Sequence, residues 1–167
     1  MLNQSVFSEN SEGKVIQLES FFVLFPGREN GFKILFGGKV LEMMDEISGS
    51  LANLYLATEG LLAIHAGEEV LFLEPIRSSE VGKVVARVLL VTEKIICVYV
   101  EVYGGQVQHP DQFTRRYAGF GLCAVINEKG EIFHNLEPYR DPSEMTRYAE
   151  EVTNFQKNLR KSILKAQ

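Results

Sequence analysis

The residues whose types and spacing can do chemistry gather in the stretch from Asn30 to Ala57, "NGFKILFGGKVLEMMDEISGSLANLYLA". Wound as a helix from Gly38 at about 100° per residue, Val40, Met43, Met44, Ile47, Leu51, Leu54 and Tyr55 fall within roughly 60° of one direction. That is a core-facing stripe, and Lys39, Glu42, Glu46 and Asn53 make the wet face opposite. Asp45 belongs to neither. Its helical neighbours are Leu41, Ser48, Gly49 and Ala52, small enough together to let another backbone come close. It also lies beyond the first turn, where the helix dipole would account for a carboxylate. A lone Asp is most simply a surface charge; walled by small and apolar side chains, it can also serve as a general base or a nucleophile. Gly37 and Gly38 open the helix, and a glycine pair there offers free N–H groups that a substrate oxygen approaches without meeting a Cβ. Such donors polarise a carbonyl, although a plain Gly-Gly turn fits the same two residues.

These residues have to be positioned by a single domain. With 167 residues, 46% hydrophobic and 23% charged, the chain is long enough to bury about 70% of its unfolded surface. A net charge of −5 argues against nucleic acid as a partner, since phosphate backbones demand a basic patch. Cys97 and Cys123 each sit in an apolar run and read as buried free thiols of a cytosolic protein. His65, His109 and His134 have no ligand spacing with one another or with the cysteines, so no metal is expected. The polar start "MLNQSVFSENSEGK" is not a signal peptide and no run is long enough for a membrane span, so a cytoplasmic location without membrane contact is expected.

Along the chain, residues 1–13 read as a flexible arm, 14–140 as the folded domain and 141–167 as a helical extension. "KVIQLESFFVLFP" alternates as a strand ending at Pro26, followed by the turn residues "PGREN". After the helix, which stops near residues 58–60, "LLAIHAGEEVLFLEP" reads as a strand with a bulge at Gly67. "KVVARVLLV" and "IICVYVEVYG" form a hairpin about Thr92-Glu93-Lys94, and "YAGFGLCAVIN" and "EIFHN" follow as strands. From Asp141 the pattern becomes helical, with Ser143 as N-cap and a mixed-charge amphipathic run to Leu164. The expected class is α+β, an antiparallel sheet of five to six strands wrapped around one long central helix, with a C-terminal helix beside it.

In this arrangement the residues resemble the hot-dog-fold acyl-CoA thioesterases, specifically the acyl-CoA hydrolase branch. The likeness lies in Asn30, in Phe36-Gly37-Gly38 opening the helix and in Met44-Asp45 further along it. Phe72, Pro75 and Gly82 match a second block, and "GLCAVINEKGE" a third, so that the resemblance runs in order over residues 20–135. Lys33 stands where the family usually has its first glycine, and the loop between Pro75 and Gly82 is longer than usual.

The resemblance implies hydrolysis of an acyl-CoA thioester to the free acid and CoA, with no cofactor beyond the coenzyme A of the substrate. Asp45 would activate water or attack directly, Asn30 would position the water or the thioester, and the Gly37 and Gly38 amides would hold the carbonyl oxygen. The CoA phosphates need cations, for which Arg115, Arg116, Arg77 and Lys83 are the candidates. A homodimer is expected as the minimal unit, with tetramers or hexamers as further assemblies. The small-residue edge Ser48-Gly49-Ala52 and the two long hairpin strands, taken as exposed edges, point the same way. The alternative is a non-catalytic acyl-CoA or lipid-binding sensor on the same fold. A dehydratase of this fold would need a histidine paired with a carboxylate at the helix or its preceding loop, and residues 26–60 contain none.

Overall fold

Long runs of β-branched residues interrupted by short turns build a sheet before anything else in this chain. The computed structural model describes residues 7–10, 13–25, 27–57 and 59–165. Six strands, β1 (Phe7–Asn10), β2 (Gly13–Val23), β3 (Leu62–Phe72), β4 (Val81–Val91), β5 (Ile95–Gly105) and β6 (Thr114–Ile126), form one antiparallel sheet in the order β1-β2-β4-β5-β6-β3. A two-residue strand, β7 (Tyr139–Arg140), pairs with the end of β4. Helix α1 (Gly37–Tyr55) packs against β2 to β6, and α2 (Met145–Lys165) lies on the opposite face against β4, β5 and β6. The α+β hot-dog architecture read from the sequence is therefore the one observed.

The β4–β5 hairpin turns at Thr92 to Lys94, as its spacing predicted. There the Thr92 amide donates to the Ile95 carbonyl at 2.9 Å, and the Ile95 amide donates back to Thr92 Oγ1 at 3.2 Å. These two strands are not exposed edges. Val88, Val98, Val100 and Val102 are fully buried in the middle of the sheet, because continuous apolar runs are what a strand covered on both faces requires. The edges are β1 and β3, and β3 leaves Leu62, Ile64, Leu71 and Phe72 exposed. Residues 7–10, within the stretch expected to be a flexible arm, pair with β2 as a strand, while 1–6 and 11–12 lie outside the described residues. "EIFHN" carries only an isolated bridge between Ile126 and Ile132 rather than a strand.

The core lies between α1 and the inner face of the sheet. Val40, Met44, Leu51 and Ala52 meet Val84, Val98, Val100 and Val125 there. Each large side chain so buried contributes about 1.5–3 kcal/mol relative to exposure. The buried face of α1 is rotated from the purely apolar stripe: Leu54 is left 43% exposed, whereas Ser48 is buried. The cause is on β6, where Gly119 and Gly121 face the helix. A Cβ at Gly121 would lie 2.3 Å from Ser48 Oγ, and one at Gly119 would lie 2.9 Å from the Met44 methyl. Small residues on the helix and glycines on the strand let the two backbones approach. Ser48 and Ala52 therefore serve packing within the chain, and of the small edge only Gly49 faces open space.

The other face of the sheet is covered by α2, through Met145, Ala149 and Val152 packed on Leu89, Leu90, Tyr99 and Leu122. Its start is organised by Asp141 and not by the expected Ser143. Asp141 Oδ1 accepts the Ser143 amide at 2.9 Å and its carbonyl accepts the Thr146 hydroxyl at 2.7 Å, while the Ser143 hydroxyl is buried without a partner among the described residues. Among the described residues no helix is long and apolar enough to cross a membrane.

Candidate active site

Helix α1 starts where Phe36 adopts an extended conformation and its carbonyl accepts the Lys39 amide at 2.8 Å and the Val40 amide at 3.2 Å. The Gly37 and Gly38 amides precede the first intrahelical bond and have no acceptor within the helix. Aromatic rings close over both. A Cβ at Gly37 would come within 3.4 Å of the Phe72 ring, and one at Gly38 within 2.8 Å of the Phe36 ring. A side chain at Gly38 would displace that ring, so the glycine keeps the helix start both accessible and apolar.

Asn30 lies in the loop before α1, where its backbone amide donates to the Ile34 carbonyl at 2.9 Å. Its side-chain oxygen accepts the Phe32 amide at 2.9 Å and the Ile34 amide at 3.4 Å, which makes it an organiser of its own turn. Lys33, at the place of the expected family glycine, has φ 60° and is the one non-glycine with a left-handed backbone among the described residues. The turn thus keeps the conformation that favours glycine and has a lysine adopt it. The loop is fastened to the β3–β4 connection by Leu35 N–H to the Ile76 carbonyl and Ser78 N–H to the Lys33 carbonyl, each 2.9 Å. Asn30 does not line the hollow that holds Asp45.

That hollow is formed by Met44, Asp45, Ser48, His65, Glu68, Val70, Phe120 and Gly121. In it His65 Nδ1 lies 2.5 Å from Asp45 Oδ1, with the side chains 36% and 50% exposed respectively. The bulge between His65 and Gly67 creates this grouping. His65 pairs with Cys123 and Glu68 with Gly121, both partners facing α1; a regular strand would send positions three apart to opposite faces. Asp45 also reaches Cys123, whose thiol is pushed up to about 11 by burial first and the Asp45 charge second. Burial pushes the Cys97 thiol up to about 12, so both free cysteines are inert structural thiols.

His65 is the site residue the sequence reading missed. The helix and its preceding loop hold no histidine, and the one beside Asp45 comes from β3. The available signal was the inward position of His65 in an alternating strand just before the bulge at Gly67.

The four candidate cations are divided between two places. Lys83 and Arg115 lie on the outer face, away from Asp45. Arg115 binds Glu101 at 2.8 Å, and Lys83 lies 3.7 Å from Glu19 and 5.2 Å from the centre of the Tyr103 ring. Burial, reinforced by Glu101, pushes the Tyr99 and Tyr103 hydroxyls up to about 12. Arg116 is held by Glu74 and by Glu80, the latter at 2.8 Å. Arg77 sits beside the Asn30 loop, bridged through its backbone to Ile34, and its guanidinium has no ion pair among the described residues.

The chain has a hot-dog fold, and the family model of the thioesterase superfamily matches its residues 32–109. Among curated proteins none matches the chain. Three solved structures share its architecture. An acyl-CoA hydrolase from Bacillus cereus is 21% identical, covers 90% of this chain and 91% of its own, and has a TM-score of 0.74. A hexameric acyl-CoA thioesterase is 19% identical, with 89% and 92% covered and a TM-score of 0.72. An acyl-CoA hydrolase from Staphylococcus aureus, in complex with butyryl coenzyme A, coenzyme A and coenzyme A disulfide, is 18% identical, with 87% of each chain covered and a TM-score of 0.71. At such identities the likeness establishes the fold.

Proposed function

We propose that this protein hydrolyses acyl-CoA thioesters to the free acid and coenzyme A. The observation that carries the reading is the Asp45 carboxylate, set on a small-residue stretch of α1 that β6 approaches closely, in a hollow lined by Met44, Val70 and Phe120 together with Ser48, His65 and Glu68. The superfamily match spans this helix, and the similar structures are acyl-CoA hydrolases and a thioesterase. Thioesters are poorly stabilised by resonance, so a carboxylate that drives deprotonation of water and two oriented amide donors are chemically sufficient. Asp45 supplies the first and the Gly37 and Gly38 amides the second; direct attack by the carboxylate gives the same products through an anhydride. No cofactor takes part beyond the coenzyme A of the substrate.

Two protomers share each site in this reading. The uncovered β3 edge, with its exposed Leu62, Ile64 and Leu71, offers the seam along which two sheets join, and the hexamer among the similar structures makes higher assembly reasonable. Asn30 does not line the Asp45 hollow of its own chain, and in this reading its amide serves the Asp45 site of the partner protomer. Of the four cations, Arg77 is best suited to a CoA phosphate, since Arg115 and Arg116 are already neutralised by carboxylates.

Thiol release measured over short-, medium- and long-chain acyl-CoAs tests the proposal. Turnover of at least one chain-length class is expected. Thermal stabilisation by acyl-CoA without any thiol release would instead make the protein a sensor.

A further inference from the structure

The Asp45–His65 contact carries more than a surface ion pair would. His65 Nδ1 stands 2.5 Å from Asp45 Oδ1, and of the two groups an ionised carboxylate has no proton to give. The proton therefore belongs to Nδ1, and in the neutral imidazole the lone pair then sits on Nε2, directed away from Asp45. Both groups stand on regular elements, Asp45 in mid-helix and His65 at the bulge of β3, so their mutual geometry is fixed by the fold. An Asp that already accepts such a hydrogen bond is a weaker base toward water, while the imidazole it orients is a better one.

We propose that His65 is the base of the reaction and that Asp45 acts through it, fixing its tautomer and stabilising the imidazolium. This rests on the acyl-CoA hydrolysis reading and changes which atom takes the proton. The water oxygen bonds to the thioester carbonyl carbon as its proton passes to His65 Nε2. The tetrahedral intermediate then collapses, the C–S bond breaks with its electron pair on sulfur, and Nε2 returns the proton to give the CoA thiol. The titratable groups that face His65 are Asp45 from α1, Glu68 on its own strand and Cys123 on β6. Cys123 stays neutral through the working range because its thiol is raised to about 11.

Two substitutions in the full-length protein decide the matter. His65→Asn keeps an N–H near the Nδ1 position to hold Asp45 but has no base, and His65→Gln places an amide near the Nε2 position instead. Folding of both is verified by circular dichroism and melting. The dyad predicts that each loses on the order of 10²-fold or more in kcat. Folded His65→Asn with more than about a tenth of wild-type turnover would overturn the base role and leave Asp45 as the base. If wild type turned over no acyl-CoA, the hydrolysis reading would fall and the base role with it, an outcome distinct from turnover that survives the loss of His65.

Discussion

At the residue scale, the glycines of β6 decide whether Asp45 is in place. Gly121 lies under Ser48, and an added Cβ there would stand 2.6 Å from Ser48 Cβ, an atom no rotamer change can move away. Gly121→Ala should therefore push α1 off the sheet and cost about 1–3 kcal/mol in urea unfolding. Ser48→Gly in the same chain should recover part of that loss, a coupling that two independent sites would not show. Equal costs of Gly121→Ala in both backgrounds would place the clash elsewhere. Asp45 was legible in the sequence because a polar residue beside small ones stands out on a helical wheel. Its partner was not, since whether His65 faces the helix depends on how the bulge at Gly67 resolves the strand. Lys33 was legible only as a departure; its left-handed backbone shows the requirement that a glycine would have met more easily.

At the element scale, α2 and the sheet depend on each other. Met145, Ala149 and Val152 cover an apolar outer face that includes Leu89, Leu90 and Leu122, and that face would be left to water without them. Truncation after Asp141 is expected to lower the melting temperature or change the assembly before it changes kcat, measured by calorimetry, light scattering and turnover together. A stable truncate of unchanged oligomeric state that had lost turnover would move α2 into the site. The central helix, the β4–β5 hairpin and the terminal helix were readable from periodicity and turn chemistry. Which strand forms the edge was not. Alternation and apolar runs report how many faces a strand buries, and strand order is set by contacts distant in sequence. Hence the two most apolar runs, taken as edges, lie in the centre, and the less apolar β3 lies outside.

At the scale of the whole molecule, the assembly determines whether the site is complete. With Asn30 and Asp45 contributed by different protomers, Asn30→Ala and Asp45→Asn chains unfolded together in equal amounts and refolded should form about half mixed dimers by random pairing. Each mixed dimer has one intact site and one doubly defective site, so roughly a quarter of wild-type activity should return. Zero recovery from demonstrably mixed dimers would assign both residues to one chain. What supports this sharing is that Asn30 does not line the Asp45 hollow of its own chain, together with the open β3 edge. All of it presupposes that the Asp45 carboxylate drives thioester hydrolysis, whether at the water itself or through His65. The most direct measurement is steady-state thiol release by folded Asp45→Asn on the best acyl-CoA, since this substitution removes the charge at nearly constant volume. A loss on the order of 10²-fold or more in kcat is expected; retention of more than about a tenth of wild-type turnover would contradict the account.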